Sequence, residues 1–372
     1  MAKRSRDFEV AIVGAGPSGA TSAIKLAGLG HRVALIDTVA SPRKATSTAW
    51  MSAQAKPLLD ALGVSVKKLA GRTVNSVTFY NADLSQSARP NFVEPPGMVL
   101  DRSRFRRELV RTARKSGATL LDGCRVTEVV LEEEAVSLMA DEADPIRSRL
   151  LIVAAGQGSP LLARFEHGAG ASSAASWIAQ VNAEVSGYKG GPAMGVVLGI
   201  DAASSFGWFI RMDDRLSVGV HITQDEATVA RRLAALCREL ADVKIVEADL
   251  SDMAADAGVH GSPCGVALSR ESHVAKHTLI VGDAGGFVSA ASGEGIYPAM
   301  WSASIAADVI SEALGSANPQ DRLREFDSRW RGALADYLRA PNTDMQYLVP
   351  LIFTNQPMAD RMGAAFFSGE NI

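Results

Sequence analysis

The chain alternates between apolar runs of strand length and segments with helical periodicity. Residues 8–13 are an apolar run typical of a buried parallel strand, and residues 17–30 have the pattern of a helix. Residues 32–36 are a second apolar run, which ends at Asp37. A strand, a helix and a second strand in this order predict a β-α-β unit over residues 1–37.

The pattern changes in the middle of the chain. Before that point, a helix is predicted over residues 101–116 and strands over residues 119–122, 125–131, 135–139 and 149–154. Residues 173–221 contain short alternating runs, which predict antiparallel strands with a hairpin turn at Asp213 and Asp214. A helix is then predicted over residues 223–240, strands over 266–268 and 278–281, and helices over 292–314, 319–338 and the tail to 372. The antiparallel part is therefore predicted to be an insertion between two parts of one α/β domain.

Length and charge favour a two-part globular protein that does not bind nucleic acid. The chain has 372 residues, more than one typical domain, and a net charge of −3 provides no basic surface for nucleic acid. Its three cysteines are too widely spaced for a metal cluster or a disulfide framework, which favours a cytoplasmic location. No apolar stretch is long enough to predict a transmembrane helix, while the slightly positive mean hydropathy leaves a peripheral membrane contact open.

A glycine-rich turn follows the first predicted strand. Gly14, Gly16 and Gly19 have GxGxxG spacing, in which the first glycine permits a tight turn, the second lets the backbone approach a pyrophosphate and the third lets the helix pack on the strand. Pro17 suits the first turn of a helix whose N-terminus attracts phosphate. Asp37 can accept hydrogen bonds from ribose hydroxyls. The segment predicts a dinucleotide site, although a ligand-free βα turn is the alternative.

A second glycine-rich segment, LIVGDAGGFVSAASGEGIYPAM, occupies residues 279–300. It contains Gly282 and Asp283 directly after a predicted strand, and Gly293, Gly295 and Ile296 at the start of a predicted helix. Each glycine-rich segment alone is only weak evidence for FAD binding. Together, in this order and this far apart, they predict one FAD bound by one chain.

With both segments in place, the chain resembles the FAD-dependent p-hydroxybenzoate-hydroxylase-like superfamily, and within it the geranylgeranyl reductases and flavin-dependent halogenases. Residues 282–296 carry the most specific match, to the reductase pattern GDAAGFxxPxTGEGI. The resemblance implies that Asp283 hydrogen-bonds the FAD ribityl or ribose, and that the helix beginning at Gly293–Ile296 faces the flavin pyrimidine edge. It also implies that Arg102, in the DRSRF segment, reaches the FAD phosphates or adenine. The predicted cofactor-binding residues are Gly14, Gly16, Pro17, Ser18, Gly19, Asp37, Arg102, Val126, Gly156, Gly282, Asp283, Gly293, Gly295 and Ile296.

The implied fold is α/β, with a Rossmann-like FAD-binding domain of the p-hydroxybenzoate-hydroxylase type, an inserted antiparallel β-sheet substrate domain and C-terminal helices. The FAD-binding domain is predicted to be discontinuous, over residues 1–75, 98–165 and 260–315. Residues 76–97 and 166–259 form the predicted substrate domain, and residues 316–372 the C-terminal helices.

The chain departs from the reductase and halogenase patterns at several points. The Cys-Gly-Gly element of the reductases is missing from residues 42–52, and their YxWxFP motif reads FGWFIR at residues 206–211. The family's GADG motif reads VAAGQGS at residues 153–159, with Ala155 in place of the Asp, which puts direct NADPH use in doubt. Halogenases need a tunnel lysine, and the candidates in about the right part of the chain are Lys44, Lys56, Lys67 and Lys68.

These departures lead to a ranked set of functions. We expect an FAD-dependent monooxygenase that hydroxylates an aromatic or electron-rich substrate, either a small molecule or a peptide residue of a partner protein. The alternative is a geranylgeranyl-reductase-like reductase of isoprenoid C=C bonds. A halogenase or a non-catalytic flavin-binding protein ranks below both. Electrons would come from NAD(P)H or a separate flavin reductase.

The candidate catalytic residues are Trp208 and Glu294. Trp208 is either a pocket wall beside the flavin or a packed sheet residue, and Glu294 is expected to orient a loop more than to move protons. His221 is a possible general acid or base, with a structural histidine as the alternative. Arg211 either attracts an anionic substrate or faces solvent.

Overall fold

The computed structural model describes residues 6–38, 48–69, 71–141, 144–165, 176–186, 193–212, 214–223 and 225–370. The helices are α1 Pro17–Gly28, α2 Ala55–Ala61, α3 Arg102–Lys115, α4 Val229–Asp242, α5 Ser251–Ala254, α6 Val266–Ser269, α7 Ile296–Leu314, α8 Pro319–Leu338, α9 Met345–Ile352 and α10 Gln356–Ser368. Short 3-10 turns occur at Val66–Leu69, Pro160–Arg164, Glu226–Thr228 and Gly282–Gly285.

The strands are β1 Arg6–Val13, β2 Val33–Asp37, β3 Thr48–Ser52, β4 Arg72–Val74, β5 Val77–Tyr80, β6 Ser87–Ala88, β7 Gly97–Asp101, β8 Thr119–Asp122, β9 Val126–Leu131, β10 Val136–Ala140, β11 Ile146–Val153, β12 Ser176–Glu184, β13 Ala193–Leu198, β14 Phe206–Arg211, β15 Arg215–Ile222, β16 His260–Ser262, β17 Val274–Ala275 and β18 Thr278–Ile280. They form three sheets among the described residues.

The largest sheet has a parallel core. Its order is β17-β18-β11-β1-β2-β8, in which β18, β11, β1, β2 and β8 run parallel, and β10 extends it by pairing with β11 and β9. The carboxyl ends of β1, β2, β11 and β18 therefore meet at one edge, where ligands bind in open α/β sheets. Helices α1 and α7 pack together on one face, over a core that includes Ile12, Leu35, Ile152 and Leu279.

The second sheet is largely antiparallel, with the order β16-β12-β15-β14-β13-β5-β6. Successive side chains along each strand point to opposite faces of the sheet, and both faces are apolar. The outer face packs on α4 through side chains such as Phe209 and Val218. The inner face carries Phe206 and Ile210 and packs against α10. A small third sheet, β3-β7-β4, lies at the edge of this inner cluster through Val74 and Val99.

Three predicted elements were wrong in type or in boundary. The predicted strand at 266–268 is helix α6, because Gly265 adopts φ +70° and the chain turns so that Ala267 N donates to Gly286 O at 3.2 Å. An apolar run of three residues cannot distinguish a strand from a helix. The helix predicted from residue 223 begins at Val229, after a 3-10 turn capped by Asp225. The helix predicted from residue 292 begins at Ile296, because Gly293 has a φ of +67°.

The mixed α/β class and the C-terminal helices are confirmed. Strands β1, β2, β8 and β18 coincide closely with the apolar runs that predicted them, and α8 has the predicted bounds. Asp213 of the predicted hairpin turn lies outside the described residues, but Met212 N donates to Arg215 O at 2.8 Å across that connection. The domain boundaries stay a prediction.

Candidate FAD and substrate site

The first glycine turn is shaped by the chain's own packing at two of its three glycines. Gly14 has a φ of +104°, and a Cβ placed there would lie 2.2 Å from Ala154 O. A Cβ at Gly19 would lie 1.8 Å from Gly14 O. At Gly16, by contrast, a Cβ would meet none of the described atoms within 4 Å. Open space therefore remains at the N-terminus of α1, where free backbone N–H groups attract a phosphate.

Asp37 is held rigidly at the end of β2. Its Oδ2 accepts a hydrogen bond from Ala15 N at 2.6 Å, and its Oδ1 forms an ion pair with Arg106 Nη2 at 2.9 Å. Arg106 also donates from Nε to Ala15 O at 3.3 Å. The carboxylate thus faces the turn after β1, and a cavity of about 590 Å³ opens beside it, lined by Asp37 and the basic side of α3. Arg106 is a residue of this site that the sequence analysis missed.

The second glycine segment packs directly on the first. Gly282 has a φ of +63°, and a Cβ there would lie 2.5 Å from Ser18 Oγ at the start of α1. The backbone of Gly282 is also anchored to α7, because Gly282 N donates a hydrogen bond to Ser302 Oγ at 3.2 Å. Gly156 lies in the turn after β11, next to Ala155, whose Cα is 2.9 Å from the Cβ position of Gly14. The segments that the sequence separates by most of the chain therefore meet in one place.

The Asp283 carboxylate lies beside the start of α7, and the charge of Arg102, the first residue of α3, acts on it. The Asp283 side chain is exposed, although its neighbours Gly282 and Ala284 are buried. Desolvation by the surrounding protein raises the pKa of Asp283, and the Arg102 guanidinium opposes that rise. The Cβ position of Gly295 is 3.3 Å from Asp283 Oδ1. These residues can hold a polar ligand against the N-terminus of α7, with Ile296 as its first residue.

Glu294 is a buried cross-link between three elements. Its Oε1 accepts hydrogen bonds from Ser52 N at 3.0 Å and Tyr297 N at 3.2 Å, and its Oε2 accepts one from the Tyr337 hydroxyl. Burial raises the pKa of Glu294, and these hydrogen bonds oppose the rise. The carboxylate ties β3, α7 and α8 together next to the loop before α7, and its orienting role stays a prediction.

The inner face of the antiparallel sheet meets this loop at Gly293. The Cβ position of Gly293 lies 3.7 Å from Phe206 Cζ and 3.9 Å from both Cys264 Sγ and His221 Cδ2. Phe206 stacks on the His221 ring with centroids 4.9 Å apart. Trp208 lies on the same face, half-buried, with its ring against Gly219 of β15. Trp208 and Phe206 therefore lie side by side on the inner face of the antiparallel sheet, and together they are called the aromatic wall.

Other predicted residues lie away from this wall. Arg211 faces the outer side, where it pairs with Glu247 Oε1 at 2.9 Å and donates to Ile245 O at 3.1 Å. Val126 begins β9 and is 7% exposed within the apolar face of the large sheet. Among the tunnel-lysine candidates, Lys56 pairs with Asp60, Lys67 and Lys68 are exposed, and Lys44 lies outside the described residues.

Burial keeps His221 uncharged. Its ring is 1% exposed, and desolvation lowers its pKa to about 4. Nε2 lies 2.7 Å from Ser176 Oγ and 3.2 Å from Cys264 Sγ. Within the described part of the chain, no group of His, Cys, Asp and Glu side chains could hold a metal ion. Nor is any described helix long and apolar enough to cross a bilayer.

The two glycine turns, the exposed Asp283 carboxylate and the open N-terminus of α1 fit a dinucleotide. Residues 7–336 match the FAD binding domain family, so the chain belongs to that family, and it is an FAD-dependent oxidoreductase. The digeranylgeranylglycerophospholipid reductase of Methanococcus vannielii is 22% identical over 342 residues, which cover 89% of this chain and 84% of that protein.

Solved structures show the same fold. A geranylgeranyl bacteriochlorophyll reductase-like protein from Thermoplasma acidophilum superposes with a TM-score of 0.74 at 17% identity, covering 97% of this chain and 96% of the other. The peptidyl tryptophan dihydroxylase QhpG superposes with a TM-score of 0.66 at 21% identity, covering 98% of this chain and 76% of the other. The predicted resemblance and the FAD cofactor are confirmed, while the role of each cofactor-binding residue stays a prediction.

Proposed function

We propose that the protein reduces C=C bonds in a long apolar substrate of the isoprenoid type, with FAD as the hydride source. The observation that carries this proposal is a continuous row of packed apolar side chains, here called the apolar path, that runs from the loop before α7 to the surface. Phe206 adjoins Gly293 and lies 5.2 Å from the Phe366 ring, which lies 5.0 Å from Phe367. Phe367 contacts the half-buried Phe92 at 5.9 Å.

The path suits a hydrocarbon chain because its walls are apolar. The inner face supplies Met194, Val196 and Ile210, and α9 and α10 supply Ile352 and Met362. Burying a hydrocarbon substrate among these side chains is favourable in proportion to the apolar area of the substrate that is removed from water. Because these side chains pack on each other, a substrate would enter by displacing α10 from the sheet.

The polar groups near the path support a reductase over a hydroxylase that recognises an acidic or phenolic substrate. Arg211 is paired with Glu247 on the other face of the sheet, so it does not serve as an anchor for an anionic substrate. His221, with a pKa of about 4, is a weak base, whereas a general base works best with a pKa near the operating pH. The names of sequence relatives such as the M. vannielii reductase point the same way.

In this proposal, bound FAD supplies a hydride, and the chain's own residues do the rest. The glycine turns and Asp37 hold the dinucleotide, and the aromatic wall orients the substrate and excludes water. Glu294 fixes the loop that adjoins the wall through its contacts to Ser52 and Tyr337.

The test is anaerobic. Photoreduced, FAD-loaded protein is mixed with geranylgeraniol in detergent, with saturated phytanol as the control. We expect oxidised-flavin absorbance to return only with geranylgeraniol, and the product to gain two hydrogens for each bond reduced. Failure of geranylgeraniol to reoxidise the flavin, with a product that gains one oxygen only in air, would overturn the proposal.

Matched variants connect the reaction to the path. Phe206 and Phe209 are buried residues of the same strand that face opposite sides of the sheet. Phe206→Leu is expected to raise the KM for geranylgeraniol, because it changes the wall, whereas Phe209→Leu should leave the KM unchanged. An equal effect of both variants would indicate a general loss of sheet stability.

A flavin monooxygenase acting on an aromatic substrate remains the second candidate. The observation in its favour is the stacking of Phe206 on His221, which means that an aromatic ring already occupies the inner face beside Gly293. The fold neighbour QhpG acts on a peptidyl tryptophan, as its name states. Oxygen-dependent gain of one oxygen by an aromatic substrate, with no anaerobic turnover, would favour this candidate.

A further inference from the structure

Helix α9 is apolar on both of its faces. Its inner face packs on the apolar path, of which Ile352 is a member and against which Val349 lies. On its outer face, Tyr347 and Leu351 lie one helical turn apart and are 69% and 48% exposed. A surface helix ordinarily carries charged or polar side chains on the face opposite the core. The outer face of α9 departs from this pattern at the place where the helix covers the apolar path.

The chain around α9 carries no charge. Residues 345–359 contain no Asp, Glu, Lys, Arg or His, although 21% of all residues are Asp, Glu, Lys or Arg. The exposed positions of α9 other than Tyr347 and Leu351 are Gln346 and Pro350. Moving a charge out of water is far more costly than moving an uncharged side chain. The outer face of α9 can therefore leave water without that cost.

A further exposed apolar side chain marks the outer end of the apolar path. Phe92 is the last aromatic residue of the path, and Val93, the next residue, is fully exposed. The loop that carries both residues lies along α10, because Asn91 N donates to Asp360 Oδ1 at 2.7 Å. Helix α9 packs on α10 as well. Val93 and the outer face of α9 therefore border the same helix, which a substrate displaces in the function proposed above.

The size of this surface favours a lipid bilayer over a second copy of the chain. A stable protein–protein interface buries about 800 Å² on each partner, from about 20–30 residues. One face of a two-turn helix and a single valine are too small to form the apolar core of such an interface. A bilayer surface needs much less, because a few apolar side chains inserted at the headgroup level leave water completely. Tyrosine, as at Tyr347, is enriched at that level.

We propose that the outer face of α9, with Val93 beside α10, inserts into the surface of a lipid bilayer. With eight residues, α9 is far shorter than the roughly 20 that span a bilayer, so the contact is confined to the surface. The outer end of the apolar path then faces lipid, and a hydrocarbon chain can enter the protein without crossing water. This consequence rests on the proposed function, whereas the bilayer contact does not.

The nearest charged residues along the chain have both signs. Arg89 and Glu94 lie on either side of Val93. Asp344 precedes the uncharged segment, and Asp360 and Arg361 follow it. Because positive charge is not in excess, the apolar side chains have to supply the binding. We expect the contact to form on neutral lipid and to change little with salt, which screens charges and not the hydrophobic effect.

Flotation with phosphatidylcholine vesicles tests the contact without a catalytic assay. This lipid is neutral, so the basic side of α3 does not attract it. We expect FAD-loaded wild type to float with the vesicles at low and at high salt. The α9 double variant, Tyr347→Gln with Leu351→Gln, should bind at least about tenfold more weakly. The control, Leu29→Gln with Val243→Gln, changes two similarly exposed apolar residues at the C-caps of α1 and α4 and should bind like wild type.

Three results of the flotation assay would overturn the proposal. They are no binding of wild type to phosphatidylcholine, wild-type binding by the α9 double variant, and an equal loss in the control. Binding that requires phosphatidylglycerol and disappears at high salt would also count against it, because that result assigns the contact to α3. Thermal unfolding of both double variants should match wild type, since the replaced side chains are exposed.

The way in which geranylgeraniol is supplied separates this proposal from the proposed function. When it is embedded in phosphatidylcholine vesicles, it should reoxidise the reduced flavin of the α9 double variant more slowly than that of wild type. In detergent the two proteins should react at equal rates. Equal rates with vesicles would overturn entry from the bilayer. No reoxidation of wild type in detergent would refute the proposed function, and flotation would still decide the bilayer contact.

Discussion

Replacing Glu294 by alanine should destabilise the protein severely, whereas glutamine should be tolerated. The side chain is 5% exposed and accepts hydrogen bonds from Ser52 N, Tyr297 N and the Tyr337 hydroxyl. Alanine leaves three buried donors without an acceptor, at a cost of about 1–3 kcal/mol each. Allowing for relaxation, we expect Glu294→Ala to lower the free energy of unfolding by about 3–5 kcal/mol. Glutamine keeps an acceptor for the two backbone donors, so Glu294→Gln should cost about 1 kcal/mol or less.

The same carboxylate gives stability a definite pH dependence. Burial raises the pKa of Glu294 in the folded protein above its ordinary value of 4.5. Between these two pKa values the folded state binds more protons than the unfolded state, so stability falls as pH rises. The contribution of protonated Glu294 to the free energy of unfolding is fully present below pH 4.5. It is lost as the pH rises through the pKa that Glu294 has in the folded protein. Glu294→Gln has no such group and should lack this part of the slope.

Urea unfolding followed by tryptophan fluorescence, over a series of pH values, measures both effects. A cost below about 1 kcal/mol for Glu294→Ala would refute the assignment of three buried donors to this carboxylate. A Glu294→Gln slope equal to that of wild type would refute the raised pKa. Flavin turnover supplies a separate readout, because loss of a proton-transferring group costs roughly a hundredfold to ten-thousandfold. We expect Glu294→Gln to lower the rate of flavin turnover by less than about tenfold.

Three further predictions concern other parts of the fold. Gly14→Ala should lower the free energy of unfolding by more than about 2 kcal/mol through strain and overlap, whereas Gly16→Ala should unfold like wild type but bind FAD more weakly, as measured by flavin fluorescence. Gly219→Ala should cost about 1–3 kcal/mol and shift tryptophan emission, because its Cβ would lie 2.2 Å from Trp208 Cζ2. Burial works to raise the pKa of Asp327, but hydrogen bonds from His273, Ser272 and Trp330 hold it well below its usual range. Its stabilising contribution is therefore lost as pH falls through the folded pKa, and acid unfolding should show a weaker pH dependence in Asp327→Asn.

The parts of the fold that were predictable from the sequence have a local physical cause. The parallel strands are continuous apolar runs, because both faces of such a sheet are covered. Gly14 and Gly19 occupy positions where the backbone and its close packing exclude a side chain, so their spacing is informative even without a ligand. The position of Arg211 was also predictable, because alternation along β14 places it on the face opposite Phe206 and Trp208.

The rest depends on contacts between distant segments, which no local pattern encodes. Cys264 and His221 are 43 positions apart and belong to different segments of the antiparallel part, yet they share a hydrogen bond. Arg106 lies among several basic residues of α3, and only the packing of α3 against α1 selects it as the partner of Asp37. The start of α7 was predicted too early because residues 292–295 give no local sign that they are not helical, whereas Gly293 adopts a positive φ that a helix does not allow.

The packing of α1 on α7 links cofactor binding to the stability of the FAD-binding part. The two helices join through Ser22 Oγ, which donates to Ala303 O at 3.1 Å, and through the Lys25–Asp308 ion pair at 2.7 Å. The same packing places Ser18 against Gly282, so the two glycine-rich segments can form one site only when the helices are docked. A ligand that binds only the docked state stabilises it by mass action. FAD should therefore protect this helix pair from local opening more than it protects the antiparallel sheet, except at Gly293, where the sheet and the loop before α7 adjoin.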